Sequence, residues 1–317
     1  MFSAPARRDF LQVLLGGAAG LLLPSKTSAQ SSSSPSAGRR SPPTVTRLNE
    51  KLSVISGAGG NVVVATGPDG AVMVNGGLAE RCTEVLKIVA DQSAGKRVHT
   101  LFNTDWHPEH TGSNELLGKA GAQIIAHENT KQYLANDLFV DWQNRTVKAL
   151  PAPALPTRTF YAMGTMTSGD ERIEYGQLGQ AHTDGDIYVL FRESNVLVAG
   201  DVLSVGKYPI ADYTTGGWLG GLMNATKDLL DRTNADTRVV PGVGPLQSRA
   251  DLQAQHEMLV TLRERLPNMM RQGMGWEEML AKGATKEFDE KWGDPKLFLS
   301  TTYRGLWLHV RELGRIV

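Results

Sequence analysis

An apolar run, Val98 to Phe102, ends abruptly in Asn103-Thr104-Asp105-Trp106-His107-Pro108-Glu109-His110, and no other stretch constrains the chain as much. Two carboxylates and two imidazoles fall within six residues. A buried strand cannot hold such a group in its interior, because unpaired charge in apolar surroundings is costly. It can deliver the group to the rim of a sheet, where loops from several strands meet. Two later segments share this construction. His182-Thr183-Asp184-Gly185-Asp186 follows the β-like runs Arg172 to Tyr175 and Gln177 to Ala181, and Gly200-Asp201 follows Asn195 to Ala199. Imidazoles and carboxylates far apart in sequence but gathered at strand ends make a metal site of N and O ligands. Zinc, iron or manganese suits such a set, with a position left open for water.

The surrounding pattern predicts a sheet covered by helices. Short β-like runs within 45–66 and at 71–74 are separated by Gly57–Gly60 and Gly67–Gly70, which is the signature of antiparallel hairpins. From Leu78 onward strands alternate with helices: helix to Ala90, strand Val98 to Phe102, helix Asn114 to Ala120, strand Gln123 to Ala126, helix Glu128 to Leu134. Residues 136–158, with prolines at 151, 153 and 156, read as an irregular surface excursion. Strands are expected at Ile187 to Phe191 and Arg238 to Val240, and helices at Leu219 to Arg232, Arg249 to Arg271, Trp276 to Ala281 and Leu297 to Leu313. Ser113 or Asn114 offers an N-cap for the helix after the cluster.

Composition narrows the function classes. Lys+Arg and Asp+Glu are both 33, so no charge excess favours nucleic acid or an anionic membrane. The single cysteine, Cys82, excludes an intrachain disulfide and a Cys-based zinc knuckle, and reads as a half-buried small apolar residue. Arg7-Arg8-Asp9-Phe10-Leu11 precedes a weak apolar run, Val13 to Leu23, and the small residues Thr27-Ser28-Ala29. Residues 1–29 thus read as a twin-arginine-type signal peptide cleaved near Ala29, with an ordinary secretory signal as the alternative. The run is too short for a stable membrane anchor. The expected address is periplasmic, with the twin-arginine export machinery as a partner. Residues 30–44, rich in Ser and Pro, read as a disordered linker, and 45–317 as one domain with a C-terminal helical extension.

On these segments the chain resembles the metallo-β-lactamase-fold hydrolases. The family carries His-x-His-x-Asp-His, then Gly-x-x-His-Thr-x-Gly-Asp, a Gly-Asp pair, and a His in a Pro-Gly-His-Gly turn. Asn103-Thr104, Gly112-Ser113-Asn114, His182-Thr183-Asp184-Gly185-Asp186 and Gly200-Asp201 fit in order, over residues 45–250. The resemblance implies an α/β (α+β) fold, an αββα sandwich of two mixed β-sheets flanked by helices. Three positions depart from it: Asp105 stands for the first His, Glu109 for the Asp, and Val243, in Pro241-Gly242-Val243-Gly244, for the last His.

By the same resemblance Asp105, His107 and His182, with Asp201 adjacent, would hold a first metal. Glu109, His110 and a shared Asp201 would be left for a second that Val243 cannot complete. The expectation is one ion, zinc first, with iron or manganese open. Glu109 or His110, freed from ligation, would act as the catalytic acid or base. Asp186 would support the site without binding metal. Trp106 reads either as a pocket wall or as a packing residue. The loop 207–218, with Tyr208, Asp212 and Trp218, reads equally as a substrate-lining flap or as a loop closed by its own side chains. The function expected is exported, metal-dependent hydrolysis of an ester, lactone, thioester or amide carbonyl in a small molecule. The alternative is a decayed member serving as a metal- or ligand-binding accessory protein.

Overall fold

Alternation of side chains along the strands builds two cores from one sheet. In strand β3 (Val62–Gly67), Val63 and Ala65 face one way and Val62 and Val64 the other, and all four are buried. A strand apolar on both faces must be covered on both. The computed structural model describes residues 41–309. The signal-type segment, linker residues 30–40, and residues 310–313 of the expected last helix lie outside the described residues.

The first sheet is entered through strands β1 (Thr44–Arg47) and β2 (Leu52–Ser56), then β3 and β4 (Gly70–Val74). Helix α1 (Cys82–Gln92) leads to β5 (Val98–Phe102), and the short helices α2 (Pro108–Thr111) and α3 (Asn114–Lys119) lead to β6 (Gln123–His127). Helix α4 (Glu128–Ala135) precedes a small hairpin, β7 (Leu138–Val140) with β8 (Arg145–Val147), and β9 (Arg158–Phe160) closes the sheet in the order β1-β2-β3-β4-β5-β6-β9. The second sheet runs β10 (Met163–Ser168), β11 (Glu171–Gln177), β12 (Ile187–Phe191), β13 (Val196–Gly200), then, beyond helix α5 (Leu219–Asp231), β14 (Arg238–Pro241) and β15 (Gln247–Ser248). Helices α6 (Arg249–Arg271), α7 (Trp276–Ala281), α8 (Asp289–Trp292) and α9 (Lys296–Leu308) follow.

Both sheets are mixed. Pairing is antiparallel from β1 to β4 and parallel through β5, β6 and β9, while β13–β14 is the parallel pair of the second sheet. Val54, Val63, Val72, Phe102 and Ile125 of the first sheet meet Ile173, Ile187, Val189, Val198 and Val240 of the second. On the outer faces, Val64, Met73 and Ile124 pack with Val85 and Val89 of α1, and Leu190, Leu197 and Val239 pack with α5, α6 and the last helices. The αββα sandwich expected from the resemblance is the fold observed.

Two local expectations are corrected. Residues 136–158 hold the β7–β8 hairpin and the start of β9, and Trp106, Leu134 and Val140 give this excursion a core of its own. The linker ends before residue 44, because Thr44 already pairs with Ser56. Cys82 is half-buried, and no helix among the described residues is long and apolar enough to cross a membrane.

Candidate metal centre

Strand β5 ends at Phe102, and the chain is turned at once by side chains that hold the loop open. Asn103 and Asn114 exchange amide hydrogen bonds, Nδ2 to Oδ1, at 3.0 and 2.8 Å. Asn75, in the left-handed region at φ 64°, accepts from Thr104 N and Oγ1 at 2.9 and 3.1 Å. Pro108 at the start of α2 lacks the N–H that a first turn cannot use. The Ser113 hydroxyl donates to Gly76 O at 2.6 Å rather than capping α3. Asn75 was not apparent from the sequence, and its signal was there: an Asn-Gly-Gly run directly after an apolar strand.

The loop brings Asp105, His107 and His110 together with no exposure beyond 3%. Asp105 Oδ1 accepts from His107 N at 2.8 Å and faces His107 Nδ1 at 3.2 Å. Both its oxygens stand 2.9 Å from His110 Nδ1. From the second sheet, His182 is fixed by its Nδ1–H, which donates to Ile210 O at 2.7 Å. Asp201 follows Gly200, whose φ of 56° turns the chain at the end of β13. Its Oδ1 lies 3.5 Å from His110 Nε2 and its Oδ2 3.6 Å from His182 Nε2. The rings of His107 and His182 are 4.7 Å apart.

Two groups of three have donor atoms within 4.8 Å of one another: His107, His182 and Asp201, and Asp105, His110 and Asp201. The family resemblance joins Asp105 to His107 and His182, whereas in the structure its group of three is with His110 and Asp201. Glu109 stands in neither group, and its side chain sits at the part-exposed start of α2. The Nε2 atoms of His107, His110 and His182 are buried without a hydrogen-bond partner. Buried polar atoms are satisfied as a rule, and the bare Nε2 atoms of His110 and His182 both face Asp201, which fits a bound ion.

Electrostatics follow from this crowding. Burial alone would push the Asp105 carboxyl up, but His110 and His107 beside it hold it well below the usual carboxylate range. Burial pulls the imidazoles down, yet hydrogen bonding to Asp105 raises His107 to about 9, and the charges of Asp105 and Asp201 raise His110 to about 10. Asp186 is pushed up to about 7 by burial; it accepts from Thr183 N and Oγ1 at 2.8 and 2.9 Å and so shapes the loop that carries His182.

The sequence profile of the metallo-β-lactamase superfamily matches residues 55–243, more than half of the chain. The chain belongs to the metallo-β-lactamase superfamily. Among solved structures it is similar to a metallo-β-lactamase from Pontibacter korlensis, at 21% identity and a TM-score of 0.55, over 68% of this chain and 98% of that one. The DIM-1 metallo-β-lactamase matches at 18% identity and a TM-score of 0.56, over 70% and 98%. A double mutant of the sec-alkyl sulfatase PisA1 matches at 17% identity and a TM-score of 0.64, over 84% of this chain and 50% of that one. At these identities the likeness is one of fold.

Set in the superfamily frame, the remaining candidates fall outside the ligand groups. Val243 is 38% exposed and lines a cavity of about 520 Å³ with Thr44, Ser56, Asn61 and Leu246, a wall that carries no ionisable side chain. Trp106 is buried, stacks on His107 at 4.1 Å and donates Nε1–H to Thr215 Oγ1 at 3.3 Å. Tyr208 stacks on Phe298 at 4.9 Å and donates its hydroxyl to Asp289 at 2.8 Å. Trp218 lies between His309, stacked at 4.3 Å, and Arg263. Asp212 is fully buried, accepts from Thr214 N at 3.0 Å, and donates its own N–H to His182 O at 2.7 Å. The loop 207–218 is packed against the C-terminal helices and braces His182, and all four of these side chains are buried.

Proposed function

We propose that the chain is a metal-dependent hydrolase, built for one ion, whose nucleophile is water and whose substrate is an ester, lactone, thioester or amide carbonyl. The observation that carries this reading is the gathering of His107, His182 and Asp201, with His182 Nε2 buried, partnerless and 3.6 Å from the part-exposed Asp201 carboxylate. Two imidazoles and a carboxylate leave coordination positions free, and an ion there would supply Lewis-acid polarisation of a carbonyl and activation of water near neutral pH. Zinc is the first choice, and iron or manganese tolerates the same set.

The chain's own residues do the remaining work. His182 is held in one orientation by Ile210 O. His110 Nε2, beside Asp201, is placed to hold or pass a proton. Glu109, in neither ligand group and part-exposed, is the second candidate for that role. Trp106 closes the inner side of the centre by stacking on His107.

The test is metal analysis of the purified chain with a hydrolysis panel of nitrocefin, lactones, thioesters, amides and, given the likeness to PisA1, a secondary alkyl sulfate. One tightly held ion and turnover of a panel member, both lost in His182→Ala, are expected. Two tightly held ions would overturn the one-ion reading. A loaded protein inert to the panel would favour the ligand-binding alternative, which the valine at position 243, where the family carries its last His, supports. The arginine pair at residues 7 and 8 supports export to the periplasm by the twin-arginine route. Fractionation of cells expressing the chain and its Arg7→Lys/Arg8→Lys variant tests this, and unchanged export of the variant would overturn that route.

A further inference from the structure

The two carboxylates of the centre are in opposite states. Asp105 is fully buried, and its oxygens are taken by His107 N and by the Nδ1 atoms of His107 and His110. A carboxylate offers about four acceptor positions, and these donors use most of them. Asp201 keeps 18% of its side chain exposed and faces the Nε2 atoms of His110 and His182 at 3.5 and 3.6 Å. One carboxylate is engaged by three donors and the other is turned toward bare nitrogen atoms.

We infer that Asp105 is a positioning residue rather than a ligand, locking the His107 and His110 rings through Nδ1 and leaving His107 Nε2 as the nitrogen free for an ion with His182 and Asp201. The ring geometry of imidazole carries this. Its two nitrogens point away from each other, so a carboxylate in contact with Nδ1 stands on the far side of the ring from an ion held at Nε2. His110 has Asp105 at Nδ1 and Asp201 at Nε2, and one ion cannot take both carboxylates together with that ring. The second group of three, although within 4.8 Å, is therefore a hydrogen-bonded chain and not a second cage. His182 follows the same plan with a carbonyl, Ile210 O, at its Nδ1. Replacement of the first motif histidine by Asp105 thereby exchanges a ligand for the group that orients the ligands.

This role rests on the reading of the cluster as a metal centre, and the experiment separates the two. Cobalt(II) is loaded into the full chain and into Asp105→Asn, Asp105→Ala and His182→Ala, with uptake and visible absorption recorded. Wild type, Asp105→Asn and Asp105→Ala are expected to take one cobalt each with bands at the same wavelengths, the variants binding roughly 10–100-fold more weakly, and His182→Ala to lose the bands. Bands that move in Asp105→Asn while the wild type is loaded would overturn the role of Asp105 alone. A wild type that takes up no cobalt or zinc would overturn the metal centre and this role together. Because a variant at a buried carboxylate can fail to fold, nitrogen-15 NMR of the zinc-loaded wild type reads the same point directly. His107 is expected to carry its proton on Nδ1 and zinc on Nε2; zinc on Nδ1 would overturn the inference.

Discussion

A Cβ atom on Gly242 would stand 2.0 Å from Asp201 Oδ1 and 2.9 Å from His110 Nε2. The backbone after β14 is thus the wall against which the exposed carboxylate rests. Gly242→Ala is expected to push Asp201 out of place and weaken metal binding on the order of tenfold or more, while the fold, held by Gly242 N–H to Gly200 O at 2.8 Å, persists. Metal titration alongside circular dichroism checks both halves, and unchanged affinity would show that Asp201 does not ligate.

Val243→His is expected to leave the metal content at one ion per chain. The side chain at 243 lines a cavity whose wall has no other ligand-type group, so an imidazole placed there has nothing to share an ion with. A second ion in elemental analysis would mean that the turn 241–245 rearranges on loading.

Metal affinity should rise with pH. In the metal-free protein His107 and His110 hold their protons up to about 9 and about 10, above the ordinary 6.5. An ion at His107 must displace a proton, so titrations in buffers of different ionisation enthalpy should show proton release. The stability of the metal-free protein has the matching sign. Folded imidazoles bind more protons than unfolded ones between pH 6.5 and 10, so their contribution is complete below 6.5 and fades as pH climbs through 9 and 10. The depressed Asp105 gives the other limb of the same interaction, lost as pH falls through its folded value below 3.8. Urea denaturation of chelator-treated protein across this range checks both.

Tyr208→Phe should cost about 1–2 kcal/mol of stability, because removing the hydroxyl deprives Asp289 and Thr285 O of a buried donor. Hydrolytic KM should not move, since the ring is buried against Phe298. A large rise in KM without loss of stability would return Tyr208 to the substrate wall.

Trp106→Ala should cost roughly 3–5 kcal/mol and free the β7–β8 hairpin, whose small core the indole fills. Limited proteolysis is expected to cut within 136–150 in the variant before any other site.

Much of this architecture was legible in the sequence because local signals decide it. Val98–Phe102, Ile187–Phe191 and Arg249–Arg271 are strands and a helix at the bounds their apolar spacing gives. Strand β10 was missed: Met163–Ser168 carries Gly164 and alternates half-exposed residues at a sheet edge, where pairing with β11 rather than apolar content makes the strand. The order of His107, His182 and Asp201 pointed to one rim, but their partition did not follow from order. Whether Asp105 stands beside His107 as a ligand or braces both rings depends on where its oxygens lie, and they meet Nδ1 of His107 and of His110, a matter of side-chain rotation within a single turn. The roles of Tyr208 and Trp218 were equally hidden, since Asp289, Phe298 and His309 lie about 80 to 90 residues further on.

The ligand-type residues do not come from one half of the sandwich. His107 follows β5 of the first sheet, whereas His182 and Asp201 follow strands of the second, and Ile187 N donates to Thr104 O at 2.9 Å across the junction. An ion gripped by all three would act as a rivet through the seam. Loaded and empty protein should then differ in how they come apart: with the rivet in place the two sheets must separate in a single event, and without it one can loosen ahead of the other. Chemistry and cohesion would hang on the same three side chains.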